Sequence, residues 1–359
     1  MLWTLFFTRK DTLVTFGDAL SSWLDEPDEF TRHRCLISER DVVHRSAAWS
    51  VNREEIPPPI APSNDDIQMW RHAVSSLRWI WVLSISIIAL VAAAIFFRMG
   101  VGTALPGSQD TIGSLGFGKV NPRTLAQTRL PQYGTSGSIA SALLANTSQV
   151  IVTCIYLLYN SIYTSMHLAR EWSGYAVRRK ALRVTAPYGV QRSTYWLHLP
   201  YSYALPLTIA SGLLHWLVSQ SLFLARITSY DGEEESDLSA VGFSLAPTLG
   251  AIIVGSLMVV MLVGMGFRKL DKRMPVAASC SVAISAAAQR PGDDMDASSF
   301  PVKWGELSSG RAKDVGHCCF TSADVVAVVP GGRYAGMWVL KGANMREHCY
   351  SSTIYYRSV

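Results

Sequence analysis

Charged side chains are absent from four long stretches of this chain. Only 16% of the 359 residues are Asp, Glu, Lys or Arg, while 49% are hydrophobic. The stretches without any of the four charged types are Ile80–Phe97, Ser141–Met166, Leu199–Ala225 and Leu238–Phe267. A helix of roughly 20 apolar residues crosses the ~30 Å hydrocarbon core of a bilayer. The missing charge disfavours a soluble protein and predicts an all-α, polytopic transmembrane bundle of four spans.

These spans divide the chain into three predicted regions. We expect a cytosolic N-terminal region over residues 1–70, a membrane domain over 71–270 and a cytosolic tail over 271–359. The predicted spans are at about 80–97, 141–166, 199–225 and 238–267. Both terminal regions are predicted to be irregular extensions. Within them we expect an amphipathic helix around Leu13–Leu24, a linker at Pro57–Pro59 and a short strand at Val325–Val329.

The distribution of Lys and Arg predicts the orientation of the spans. The loop over residues 170–192 has six basic residues and a single acid, Glu171, and such loops stay on the cytoplasmic side. The loop after the third span is acidic from Asp231 to Asp237, whereas Arg268 and Lys269 directly follow the fourth span. We therefore predict an integral membrane protein whose N- and C-termini are cytosolic.

The motifs of soluble enzymes are absent as well. The chain has no Walker motif, nucleophile elbow or zinc-protease signature. Its six cysteines include no CxxC pair, and His317, Cys318 and Cys319 lack a second ligand pair at a usual metal-binding spacing. We expect no enzyme activity, cofactor or metal. Because orientation in a membrane explains the net charge of +5, the expected partners are the lipid bilayer and cytosolic-face proteins, without nucleic acid.

Polar residues follow one face of each of the two central spans. In the second span they recur at steps of three and four: Asn146, Gln149, Thr153, Tyr156, Asn160, Tyr163 and His167. In the third span they are Thr208, Ser211, His215 and Ser219. Polar groups in hydrocarbon need partners, so both faces should point into the bundle or a wet cavity. The candidate intramembrane site consists of Asn146, Gln149, Thr153, Asn160, Ser211, His215 and Ser219.

Three interpretations of the chain stay open, and two of them concern these polar faces. The site could serve solute transport or ligand sensing, with a substrate that the sequence does not identify. The same residues could instead form hydrogen bonds that hold the helices together. In a third interpretation the protein is a membrane scaffold that recruits partners through its basic loop and C-terminal tail. No span contains Asp or Glu, which disfavours a proton pump.

Several segments carry a family resemblance. They lie within residues 145–225, notably Ala169–Trp172, Gln191–Tyr195, Tyr203–Pro206 and Ser211–Ser221, and also at Thr15–Leu20, Ala278–Ser281 and Pro301–Gly305. They resemble a family of uncharacterised fungal polytopic membrane proteins with an N-terminal domain of unknown function. The resemblance implies that this chain is the C-terminal half of a longer protein. Leu2–Phe7, followed by Arg9 and Lys10, is typical of the cytoplasmic end of a further span. The resemblance implies no activity, cofactor or catalytic residue.

Overall fold

The computed structural model describes residues 13–32, 34–38, 42, 68–105, 111–119, 124–126, 134–195, 199–231, 234–270, 274–277, 280–307 and 316–334. The helices are α1 (Phe16–Asp25), α2 (Ser76–Ala104), α3 (Gly134–Ser173), α4 (Tyr201–Ser221), α5 (Leu245–Gly266) and α6 (Ser281–Ala287). The strands are β1 (Leu125–Ala126), β2 (Arg183–Val184), β3 (Arg192–Ser193), β4 (Leu222–Asp231), β5 (Glu234–Phe243), β6 (Lys303–Leu307), β7 (Cys318–Thr321) and β8 (Val325–Val326).

The chain folds into two compact units. Unit 1 contains Met1–Ala73, Ser165–His198 and Arg268–Val359, and unit 2 contains Val74–Thr164 and Leu199–Phe267. Each unit is therefore built from segments that are far apart in the sequence. The division into residues 1–70, 71–270 and 271–359 stays a prediction. The two compact units do not follow these bounds, because unit 1 contains residues of all three regions.

Each of the four charge-free stretches contains a long helix. Three of these helices are long and apolar enough to cross a membrane: α2, α5 and residues Thr135–Ser173 of α3. Helix α4 has 21 residues, about 31 Å, but polar side chains such as His215 lower its hydropathy. Three of the four predicted spans are thus confirmed as candidates by length and composition, and the fourth is not.

Prolines mark the beginnings of two of these helices. Pro200 is the N-terminal cap of α4, and Pro247 lies in the first turn of α5, where a missing N–H removes no helical hydrogen bond. Pro206 lies inside α4, which continues to Ser221. The helix boundaries therefore differ from the predicted spans: α2 and α3 are longer, and α4 and α5 are shorter.

The all-α prediction is not confirmed, because strands connect α4 to α5. Strands β4 and β5 form an antiparallel hairpin in which Leu222 lies opposite Phe243 and Asp231 opposite Glu234. Strand β1 pairs with the other edge of β5, with Leu125 opposite Gly242. Residues 222–225 and 238–243 of the predicted spans are consequently strand. An apolar strand is as free of charge as an apolar helix, so charge alone could not separate them.

Ser244 fixes the junction between the hairpin and α5. Its backbone N–H donates to the carbonyl of Ser221 at 2.9 Å. Its hydroxyl accepts from the N–H of Gly118 and donates to the carbonyl of Gly116, both at 3.2 Å. Gly118 has a φ of +65°, and a Cβ there would lie 2.2 Å from Oε1 of Gln220. The positive φ of this loop in unit 2 thus favours glycine at this position.

In unit 1, α1 confirms the predicted amphipathic helix. It begins with a capping box, in which Thr15 Oγ1 accepts from the N–H of Asp18 at 3.2 Å and Asp18 Oδ2 accepts from the N–H of Thr15 at 2.8 Å. The second carboxylate oxygen of Asp18 accepts from the N–H of Thr185 at 2.7 Å, just after β2. A Cβ on Gly17 would lie 1.9 Å from the carbonyl oxygen of Arg183, so glycine permits this close packing.

The core of unit 1 joins three separate parts of the chain. Trp172 lies in the last turn of α3 and Tyr175 just after it, Phe16 comes from the N-terminal region and Phe320 from the tail. Phe320 lies 5.1 Å from the Trp172 ring and 5.4 Å from the Tyr175 ring, while Phe16 lies 6.1 Å from Trp172. Trp172 Nε1 also donates to the carbonyl of Pro275 at 2.9 Å. These contacts make one hydrophobic core from regions that the sequence presents as separate extensions.

The prediction of irregular terminal extensions therefore does not hold for the described residues. The tail contributes α6 and an antiparallel sheet in the order β7–β6–β8, and β8 falls within the predicted strand at Val325–Val329. Lys180 and Val302 exchange two backbone hydrogen bonds at 2.9 Å, which attaches this sheet to the basic loop. Leu2–Phe7 and Pro57–Pro59 lie outside the described residues.

Candidate functional site

The two predicted polar faces meet at Gln149 on α3 and His215 on α4. Gln149 Oε1 and His215 Nδ1 are 2.7 Å apart, and Gln149 Nε2 donates to the backbone oxygen of His215 at 3.2 Å. A carboxamide oxygen only accepts, so Nδ1 of His215 must donate the proton in this arrangement. Both side chains are half-buried. Each residue therefore satisfies polar groups of the other.

The remaining five candidate residues do not join this pair. Asn146, Thr153 and Ser219 are exposed, and each donates to a backbone oxygen three or four positions earlier in its own helix. Ser211 is buried within α4, and Asn160 is half-buried on α3. Own-helix hydrogen bonds satisfy a polar group without any second helix. A pathway lined by all seven residues stays a prediction.

Side-chain hydrogen bonds also join α3 to α2. Tyr159 Oη donates to Ser86 Oγ at 3.1 Å, and both residues are buried. Arg78 Nη2 donates to Ser161 Oγ at 2.7 Å. Together with the pair formed by Gln149, these contacts favour the interpretation that polar residues of α3 hold the helices of unit 2 together.

A second arrangement, which we name the Trp70 site, consists of Trp70, His167, Arg170 and Arg268 in unit 1. Trp70 begins a 3-10 turn at Trp70–Ala73 and is buried. The guanidinium carbons of Arg170 and Arg268 lie 5.5 and 5.2 Å from the centroid of its ring. The His167 ring approaches edge-on at 5.0 Å. Two cations thus share one indole, an arrangement that cation–π attraction stabilises.

In the sequence, Arg170 and Arg268 indicated only the orientation of the spans, and Trp70 was not predicted to belong to a site. The backbone N–H of Trp70 donates to the carbonyl of Arg268 at 2.8 Å, and Met69 pairs with Lys269 in an antiparallel bridge. Nothing in the local sequence relates the residues before α2 to the residues after α5. An aromatic residue before the first span and basic residues after the last were the available signals.

Positive charge extends from this site along the basic loop. The pKa of Lys180 is lowered first by burial and then by Arg178, with Arg170 contributing further, while Glu171 raises it. Glu171 Oε1 lies 3.6 Å from Nε of Arg183, so the one acid of the loop is engaged there.

The thiols of Cys35, Cys318 and Cys319 lie in the core of unit 1, beside His317. A hydrogen bond from Cys318, supported by His317, lowers the pKa of the Cys35 thiol, whereas burial raises the pKa of Cys318 and of Cys319. His317 Nε2 lies 3.1 Å from the carbonyl oxygen of Gln289. Within the described ranges, no group of three or more His, Cys, Asp or Glu residues could hold a metal ion. Cys318 and Cys319 are buried in β7, which begins directly after His317.

Comparison with known proteins places the chain in an uncharacterised family. No curated protein and no solved structure matches it. A domain of unknown function, DUF8419, matches residues 15–62 and 52–316, which include α1 through β6 and hence elements of both units. This match covers well over half of the chain and agrees with the resemblance to an uncharacterised family. The chain therefore belongs to the family defined by this domain of unknown function, DUF8419.

Proposed function

We propose that this protein is a multi-pass membrane protein that acts as a scaffold through the folded surface of unit 1. The aromatic core of Phe16, Trp172, Tyr175 and Phe320 carries this proposal, because it combines the N-terminal region, the basic loop and the tail. A packed core gives these segments a persistent surface, whereas flexible tails would offer only short linear motifs. The basic loop and the tail thus act as one body.

An exposed apolar patch on unit 1 fits a protein partner. We name it the Tyr188 patch: Tyr188, Val190, Met295 and Phe300 are 77%, 53%, 68% and 51% exposed. The N–H of Val190 donates to the carbonyl of Ser299 at 3.4 Å, which brings the turn after β2 against the turn before β6. Large apolar side chains that are exposed on a surface occur at protein–protein interfaces. The partner we propose is a protein with an apolar binding surface.

Contacts within unit 1 also support a fourth membrane crossing by α4. Trp172 contacts Pro275, and Lys180 pairs with Val302, so the segment before α4 and the segment after α5 belong to one body. If α5 crosses a bilayer, α4 must cross it too, because otherwise these segments would lie on opposite sides. A helix of about 31 Å is long enough. The basic loop then assigns this common side, and both termini, to the cytosol.

A double variant of the patch tests the scaffold proposal. Tyr188→Ser with Phe300→Ser removes two large apolar contacts and should leave the aromatic core intact. We expect normal membrane insertion and thermal stability, with proximity labelling of partner proteins in intact membranes reduced at least tenfold. Val177→Ser, which alters a side chain that is 52% exposed, is the matched control. An unchanged set of labelled proteins in the double variant would reject the patch as the interaction surface.

The pair of Gln149 and His215 favours a second candidate function, solute transport or ligand sensing. An ionisable side chain within an apolar helix is a common feature of such sites. The test is flux of candidate solutes into vesicles that contain the full chain, compared with Gln149→Leu and His215→Leu. Flux that both variants abolish would support this function. Flux that is absent from the wild type, or retained in both variants, would argue against it.

A further inference from the structure

The Trp70 site presents two fixed cations to its surroundings. Arg170 and Arg268 are exposed, whereas the ring that both contact is buried. Backbone hydrogen bonds hold the site in place: Trp70 N–H to the carbonyl of Arg268 at 2.8 Å and Leu270 N–H to the carbonyl of Gln68 at 2.9 Å. A long cationic side chain normally loses rotamer freedom when it binds a ligand. Here, contact with the indole has already restricted both guanidinium groups.

Two further basic residues are close in sequence to this site. Lys269 and Arg71 are exposed neighbours in sequence of Arg268 and Trp70. The planar fork of arginine matches the oxygen atoms of a phosphate or carboxylate, and weak hydration of the guanidinium favours such pairing. The site therefore selects an anion that has several oxygen atoms. A compact cation or an uncharged solute would gain nothing from it.

The position of the site along the chain indicates where this anion comes from. Arg170 lies in the last turn of α3, and Arg268 follows the last residue of α5 by two positions. Both helices are candidate membrane spans. Basic residues at the cytoplasmic ends of spans lie at the depth of lipid headgroups, and the cytoplasmic leaflet is rich in anionic lipids.

We propose that the Trp70 site binds the headgroup of an anionic phospholipid, with the guanidinium groups of Arg170 and Arg268 pairing with its phosphate and carboxylate oxygens. Trp70 acts as a positioning residue that holds the two arginines. Occupation of the site would fix the ends of α3 and α5 to the membrane surface. The assignment to the cytoplasmic leaflet rests on the orientation proposed above, but the binding chemistry does not.

Nanodiscs of defined composition test this proposal without any partner protein or cell. The full chain is placed in phosphatidylcholine alone or in phosphatidylcholine mixed with phosphatidylserine, and retained phosphatidylserine is counted by native mass spectrometry. In Arg170→Gln with Arg268→Gln we expect roughly thirtyfold weaker retention, since each basic residue contributes about a factor of five at a membrane surface. Arg192→Gln, an exposed arginine of the same loop, is the matched control and should retain the lipid.

Three further outcomes decide whether the bound anion is a lipid headgroup and whether the two arginines bind it. Arg170→Lys with Arg268→Lys should recover most of the retention, because the charge remains. Displacement of phosphatidylserine by millimolar inorganic phosphate would overturn the lipid assignment in favour of a soluble anion. If the double glutamine variant retains phosphatidylserine like the wild type, or loses stability equally in both nanodiscs, the arginines serve only the helix ends and the proposal fails. None of these results depends on the Tyr188 patch.

Discussion

Replacing Phe320 with alanine is the sharpest test that unit 1 is one folded body. The side chain is fully buried and contacts the rings of Trp172 and Tyr175. Removing a buried phenylalanine typically costs about 3–5 kcal/mol, because its transfer free energy is lost and a cavity remains. A domain is stable by only about 5–15 kcal/mol, so the variant should lose a large share of the free energy of unfolding.

Limited proteolysis of the full chain in membranes measures this loss in each segment separately. With Phe320→Ala we expect faster cleavage in the tail and equally in the N-terminal segment around Glu26, although that segment is unchanged in sequence. Val326→Ala alters a side chain of the same sheet that is 55% exposed, so it should change stability by no more than about 0.5 kcal/mol. If Phe320→Ala accelerated cleavage in the tail alone, the terminal regions would be independent extensions and the shared core would be refuted.

Three further predictions concern single positions. Gly17→Ala should cost about 3 kcal/mol, because the new methyl group would overlap a carbonyl of β2, whereas Gly212→Ala has open space and should be neutral or slightly stabilising in thermal unfolding. Burial raises the pKa of Asp294, but hydrogen bonds from neighbouring hydroxyls and N–H groups outweigh it and lower the pKa from its ordinary value. The ionised carboxylate therefore stabilises the fold at pH values above its unfolded-state pKa, and this contribution is lost as pH falls through the folded-state pKa. Asp294→Asn should remove this pH dependence, which urea unfolding measured across pH 2–6 would show. Gln149→Leu should cost about 1 kcal/mol by steric-trapping unfolding in bilayers, and an unchanged value would mean that its bonds to His215 contribute nothing.

The helices of unit 2 were readable from the sequence because their signal is local. Absence of charge over about 20 residues reports directly on an apolar helix, and α2 and α5 follow that rule. The hairpin of β4 and β5 was not readable, since its apolar residues adjoin those of the helices without a change in charge. Gly242 and Ser244, which mark this junction in space, are small residues that also occur within membrane helices.

Unit 1 was not readable for a different reason. Its core depends on contacts between residues such as Phe16, Trp172 and Phe320, which lie in three different regions of the chain. Each region alone has too few apolar residues to predict a core, and only α1 shows a helical pattern that stands by itself. The Trp70 site has the same origin, because its two arginines come from the ends of two different helices. The sequence pattern within a segment predicts the helix or strand that it forms, whereas contacts between distant segments leave no local signal in the sequence.

Helix α4 shows how packing and hydropathy oppose each other in this fold. Its polar residues, His215 among them, leave it less apolar than α2 and α5, so it is not recognised as a span by composition. His215 is also the residue that pairs with Gln149 of α3, a helix that is attached to α2 through Tyr159 and Ser86. In hydrocarbon, a polar group that finds a partner stabilises association, since the alternative is an unsatisfied donor or acceptor. The side chains that lower the hydropathy of α4 are thus the ones that join it to α3 by hydrogen bonds.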